Sequence, residues 1–217
     1  MKWQQLVQAA AIYDRELDYD RFYRAYLQDR DDRAWWDPTG PSAADAERLF
    51  LFLNQWKCRL SSGPDDVDRF RAATTKAARV IALVRHESLS VSAFDPAAQA
   101  IISEAFQLIL NAFAKRNSTA ASKALHMYNR RLFVMWDKAI RAGYAVDATP
   151  ESYAEVFLPR VQREAHEAIE SIIADGRAAP EEAVEMIESQ CSGTPLAKLV
   201  DQYNYCKFTL SAEELWQ

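Results

Sequence analysis

The sequence predicts an all-α protein, a single compact domain of about eight to ten helices. Three observations lead there. Half of the chain is apolar, 49% of its 217 residues, which is enough to build a sizeable core. Only five glycines occur, and most of the eight prolines stand where helices would begin. No stretch alternates apolar and polar residues long enough to read as a strand. A length of 217 residues suits one domain, with a division into two lobes near 1–116 and 117–217 as the alternative.

The elements follow in order. A first helical region covers roughly 2–30: Trp3, Leu6, Val7 and Ala10 share a face, and Leu17, Phe22, Tyr23 and Tyr26 continue the apolar content. Residues 31–41 read as a loop, with Pro38-Thr-Gly40-Pro41 closing it and Trp35-Trp36 as a pair that either anchors the loop or forms a binding surface. Ser42 with Asp45 has capping-box spacing and opens a second helix, whose stripe is Leu49, Leu53, Trp56 and Leu60. Ser61-Ser-Gly-Pro64 breaks it. Asp65, Asp66 and Asp68 complement the dipole of a third helix, where Val67, Phe70, Thr74, Ala77, Ile81 and Val84 step by three and four. Asp95-Pro96 starts the expected central helix, with Ile102, Phe106, Ile109 and Phe113 in line. Asn117-Ser-Thr119 ends that helix and caps a short one to about Tyr128. The apolar run Leu132-Phe-Val-Met-Trp136 then leads to Asp137, which begins a helix ending near Gly143. Thr149-Pro150 opens a long helix to about Asp175, which Pro159 should kink or split. Helices over about 180–190 and 195–207 complete the chain.

Composition excludes several function classes. Cys58, Cys191 and Cys206 are odd in number and far apart, as free thiols in a reducing compartment would be. Gln4, Gln5 and Gln8 interrupt any N-terminal apolar run, and no stretch approaches the ~20 apolar residues of a membrane span. A soluble, cytoplasmic protein without a membrane partner is expected. His86, His126 and His166 are isolated, so no metal site is expected. Glycine-rich phosphate loops and the GxSxG elbow are absent, and no cofactor is implied. A monomer is compatible with the sequence, which does not fix oligomeric state.

The net charge of −5 hides an asymmetry. Residues 151–217 hold 5 basic and 13 acidic side chains, whereas 112–141 hold seven basic ones (Lys115, Arg116, Lys123, Arg130, Arg131, Lys138, Arg141) against Asp137 alone. Local charge decides where a phosphate backbone docks, and an exposed solvated face is the plainer reading. Ser118 and Thr119 open a helix whose free N–H groups, with Lys115 and Arg116, suit a phosphate. Lys123 comes one turn later. Asp137 follows five apolar residues at a helix start, where simple capping accounts for it and where a catalytic carboxylate at a cleft mouth is also held.

The stretch 118–143 resembles the lysine–aspartate half of the helix-hairpin-helix DNA glycosylases, especially their divergent 8-oxoguanine-type relatives. Ser122-Lys123-Ala124 stands where the family's lysine follows the hairpin, and Val134-Met-Trp-Asp137-Lys-Ala-Ile-Arg141 stands at the aspartate, with an arginine four residues on. Ser118-Thr-Ala-Ala-Ser122 replaces the family's hairpin glycines. The resemblance implies a helix-hairpin-helix glycosylase-like fold and an N-glycosylase that flips a damaged or modified base out of duplex DNA. Asp137 would stabilise the oxocarbenium-like sugar or activate water, and Lys123 would attack C1′ or serve as a phosphate contact. A neighbouring Arg130 or Arg131 would lower the lysine pKa. Lys115, Arg116, Arg130, Arg131, Lys138 and Arg141 would track the DNA backbone. Tyr128, Trp136 or Trp35-Trp36 would stack on the extruded base, unless they are core. DNA repair and antiviral defence against modified phage DNA are the implied settings. Two rival readings stand beside this one: a non-catalytic helical interaction or regulatory protein, and a DNA-binding module without chemistry.

Overall fold

Aspartate, serine and asparagine side chains start the helices at four of the expected places. Ser42 accepts from Asp45 N (3.1 Å), Asp95 from Ala98 N (2.7 Å), Asn117 from Ala120 N (2.9 Å) and Asp137 from Ile140 N (2.8 Å). Each satisfies an amide that the first helical turn leaves without an intrahelical partner. The computed structural model describes residues 1–17, 20–28, 39–61, 63–90 and 94–212. It is all-helical, with ten α-helices and no strand among the described residues.

In chain order these are α1 (Trp3–Glu16), α2 (Asp20–Gln28), α3 (Ala43–Gln55), α4 (Pro64–Ile81, extended by a 3-10 turn Ala82–Val84) and α5 (Pro96–Ala112). They continue with α6 (Ser118–Tyr128), α7 (Lys138–Tyr144), α8 (Leu158–Ala174), α9 (Ala183–Gln190) and α10 (Leu196–Asn204). Two π-helical turns, Ser152–Phe157 and Tyr205–Thr209, precede α8 and follow α10. The most extensive pairing is α4 with α5, and α5 also packs on α6 and on the 152–157 turn. α1 lies against α10 and α8, so the first helix shares one continuous core with the last third of the chain.

Several boundaries differ from expectation. The region 2–30 is two helices, because Leu17 leaves α1 in an extended conformation. α3 stops at Gln55: Lys57 and Arg59 take left-handed φ values of 64° and 53°, and Leu60 lies beyond the helix. The helix expected from Pro150 to Asp175 stays helical from 150 to 174 and is not split at Pro159; its hydrogen bonding shifts to a π turn over Ser152–Phe157. A proline offers no N–H and its ring crowds the carbonyl four residues back, and the chain responds with the π turn just upstream. Gly143 does not cap α7; Ala145, at φ 53°, does. Gly143 answers to packing instead, since a Cβ there would run into the Phe208 ring.

The centre is aromatic. Phe106 on α5 meets Trp136 (5.7 Å between centroids) and Tyr153 (4.7 Å), and Trp136 meets Tyr153 (4.9 Å) and Phe157 (5.2 Å). Truncating such a ring removes its contacts and leaves a void that the neighbours fill only in part. Phe106→Ala is expected to lower unfolding free energy by about 3–5 kcal/mol in urea titration. A loss under about 1 kcal/mol would mean that Phe106 is not the hub described.

Candidate functional site

The apolar run 132–136 is wholly buried; the Leu132 and Phe133 N–H groups donate to Asn129 O in a turn (3.2 and 3.0 Å), and residues 133–136 belong to neither helix nor strand, so side chains supply further backbone partners. Ser122 Oγ accepts from Trp136 N (3.2 Å) and donates to Thr119 O (3.0 Å), with Trp136 O also within reach at 3.3 Å. His126 Nδ1 donates to Phe133 O (2.7 Å), because a carbonyl only accepts, and the Tyr23 hydroxyl lies 2.9 Å from Nε2. Tyr153 donates to Val134 O (2.8 Å). Two of these side chains, Ser122 and His126, stand on α6 beside Lys123. The register that bonds the run to α6 therefore also brings Asp137 to the cavity that Lys123 lines.

Lys123 and Asp137 line one cavity of about 240 Å³, with Trp56, Thr119, Asp201 and Tyr205 among the other walls. This is below the usual volume for a drug-sized ligand and suits one planar heterocycle. Lys123 Nζ donates to Trp56 O (2.9 Å) and sits 4.6 Å from the centre of the Trp56 ring. Burial holds the Lys123 pKa below the ordinary lysine value. Cys58, Asp201 and Asp137 pull it back up, and the Lys198 charge pushes it further down. Asp137 uses one carboxylate oxygen to cap α7, and the other accepts from Thr209 Oγ1 at 2.9 Å.

Thr119 also lines a neighbouring, wider groove of about 720 Å³, shared with four basic residues, Arg59, Lys115, Arg116 and Arg141, and one acid, Asp66. This groove runs beside the turn 113–117 between α5 and α6; Ser118–Ser122, expected in place of hairpin glycines, instead form the first turns of α6, because Asn117 caps the helix there. None of residues 113–122 has a positive φ, so this turn needs no glycine. Asn117 holds it: its Oδ1 caps α6 while its Nδ2 donates to Cys58 O (2.8 Å), fastening the 56–60 segment to the turn.

The other expected site residues are placed as follows. Lys138 is exposed beside Asp137. Ser118 is 8% exposed; its hydroxyl accepts from Arg141 and its carbonyl from Trp136 Nε1 (3.1 Å), so its polar groups serve the fold rather than a phosphate. Arg130 and Arg131 lie past the far end of α6, in a separate cavity with Arg85, His86, Glu181, Glu185 and Glu188. They do not crowd Lys123; burial and Lys198 take that part. Tyr128, 1% exposed, donates to Thr74 O (2.7 Å) and is core, not a stacking platform. Trp136 is likewise 1% exposed, held within its aromatic cluster, and contributes only a wall of the cavity. Trp35 and Trp36 fall outside the described residues.

Comparison with known proteins finds no matching family model, no matching curated protein and no matching solved structure. Among the described residues no group of three or more His, Cys, Asp or Glu could hold a metal ion, and no helix is long and apolar enough to cross a membrane.

Trp56, Asp201, Tyr205, Lys57 and Thr209 were not legible as site residues, because the fold alone gathers positions so far apart in the chain. The one local signal was the spacing of Asp201 and Tyr205, four apart and so on one helical face.

The cap and any chemistry at Asp137 separate by substitution. Asparagine caps as well as aspartate, so Asp137→Asn should leave stability within about 0.5 kcal/mol, while Asp137→Ala should lose about 1 kcal/mol. Chemical denaturation of both variants checks this; equal losses would mean that the charge, not the cap, stabilises α7.

Proposed function

We propose that the chain is a DNA N-glycosylase that excises a damaged or modified base by flipping it out of the duplex. The observation that carries this reading is that Lys123 and Asp137, fourteen residues apart in sequence, line one cavity the size of a single heterocycle. Two further features support it. The groove of Arg59, Lys115, Arg116 and Arg141 joins the cavity at Thr119 and offers the positive charge that a phosphate backbone requires. The burial of Lys123 favours the neutral amine, the form that attacks.

In this reading the base enters against Trp56 and Tyr205, and the deoxyribose lies between Lys123 and Asp137. As the C1′–N bond breaks, its electron pair leaves with the base, which takes up a proton. The Asp137 carboxylate offsets the positive charge that grows on the sugar. The Lys123 lone pair forms the new bond to C1′; loss of the amine proton and opening of the sugar ring, whose oxygen takes a proton, give the imine. Water attacking C1′ in place of the amine would give a monofunctional enzyme, with Lys123 as a phosphate contact.

The non-catalytic rival draws on one observation: both Asp137 oxygens and the Lys123 ammonium already have protein partners. A panel of duplexes carrying oxidised, alkylated or enlarged bases, scored for alkali-labile abasic sites, separates the readings. Base release is expected from at least one duplex, and Asp137→Asn should slow it by about 10²–10³. Binding without release from any duplex would favour a DNA-binding module. Salt-insensitive or absent DNA affinity would favour a protein-interaction role.

The amine has its own test. Borohydride trapping of the imine should rise with pH through a midpoint below the ordinary lysine value of about 10.4, because burial disfavours the ammonium. Trapping that survives Lys123→Ala would remove Lys123 as the nucleophile.

A further inference from the structure

Behind the cavity wall lies a second lysine that the proposed chemistry does not use. Lys198 on α10 is 0% exposed and does not reach the cavity. Its Nζ donates to Asp201 Oδ2 at 2.9 Å. It also lies 4.5 Å from the ring centre of Tyr13 and 5.4 Å from those of Tyr23 and Trp56. The Trp56 indole is the ring on which Lys123 also sits, so one aromatic group carries two ammonium groups. Asp201, 7% exposed, pairs with Lys198 and also lines the cavity that holds Lys123. A solvent-shielded lysine is costly to hold charged, and a buried ion pair contributes little net stability, so a pair placed directly behind a reactive amine calls for another explanation.

We propose that Lys198 is a positioning residue for Lys123: by holding the Asp201 carboxylate, it keeps Asp201 from becoming the partner of Lys123 and leaves that amine free to shed its proton. This rests on the reading of Lys123 as the reactive amine. The charged and titratable groups facing Lys123 among the described residues are Cys58 and Lys57 on the segment after α3, Asp137 at the start of α7, Asp201 and Lys198 on α10, and the Tyr13 and Tyr205 phenols. Of these, Asp201 and Lys198 are directly bonded to each other, so removing either one changes what the other does to Lys123. Burial already disfavours the Lys123 ammonium, and the Lys198 charge acts in the same direction while Asp201 opposes it.

The test reads Lys123 itself, without DNA. Formaldehyde and cyanoborohydride methylate neutral lysine amines, and peptide mass spectrometry gives the labelling of Lys123 against pH, with exposed Lys115 and Lys138 as internal references. Lys198→Met should slow Lys123 labelling roughly tenfold at neutral pH, the equivalent of one pKa unit, because Asp201 then pairs with Lys123. Asp201→Asn should speed it by a similar factor, Lys198→Arg should match the parent protein, and Lys198→Met/Asp201→Asn should return close to it. Should Lys198→Met not fold, the comparison of Asp201→Asn with the double variant carries the test, because the double must label more slowly than the single. Unchanged labelling in the single variants, or a shift of both in the same direction, overturns the proposal. Base release measured on the same proteins judges the glycosylase reading separately: ordered labelling without release from any duplex retains the role of Lys198 and removes the enzyme.

Discussion

The structure depends on a five-residue segment without helix or strand, Leu132–Trp136, buried in the middle of a helical protein. Helices satisfy their own backbone groups, but this irregular run does so only at its start, where Leu132 and Phe133 N–H reach Asn129 O, and each unpaired amide or carbonyl in an apolar interior is costly. Ser122, His126 and Tyr153 supply partners, and every one of them is fully buried. The segment has one register on α6, because sliding it by a residue would strand those hydroxyl and imidazole groups together with the backbone they serve. The aromatic cluster of Phe106, Trp136, Tyr153 and Phe157 closes over the run and couples α5 to the turn before α8. A core packed this way is stable and also fixes where Asp137 emerges.

The cavity is then a consequence of how the ends of several elements meet. Lys123 faces it from the middle of α6, Asp137 from the start of α7 and Asp201 from α10. Trp56 arrives on a segment whose next residues include two non-glycine positions in the left-handed region, Lys57 and Arg59. Such conformations are held only where the surroundings over-determine them. Here the Trp56 carbonyl accepts from Lys123 and the Cys58 carbonyl from Asn117, so the strained segment is tied at two points to α6 and its cap. At the C-terminal side, the Phe208 ring against Gly143 and the Thr209 hydroxyl on Asp137 hold the last turn over α7. The polar groups of the site are in this way bonded on the protein side, with their remaining faces toward the cavity.

Charge is divided in the same manner. The basic stretch 112–141 looks continuous along the chain, yet α6 carries its two halves apart. Lys115, Arg116 and Arg141 gather at the groove beside the 113–117 turn, while Arg130 and Arg131 pass to a cavity whose opposite wall is acidic. A chain of net charge −5 therefore presents a locally basic groove next to the cavity, and local charge is what a polyanion meets.

The sequence by itself determined the helical class and most of the helix starts. These are local matters: Ser42, Asp95, Asn117 and Asp137 cap because their side chains reach amides three residues on, and Pro159 follows a π turn because it lacks a donor. It did not determine the roles of Tyr128 and Trp136, whose polar atoms serve the core, since burial depends on what packs above a ring. Nor did it show why Gly143 is a glycine, which only the approach of Phe208 explains. Above all, only the tertiary structure decided that Tyr13, Trp56, Asp201 and Tyr205 join Lys123 and Asp137. Periodicity and capping act over a few residues, whereas a cavity is made where distant elements fail to fill the space between them.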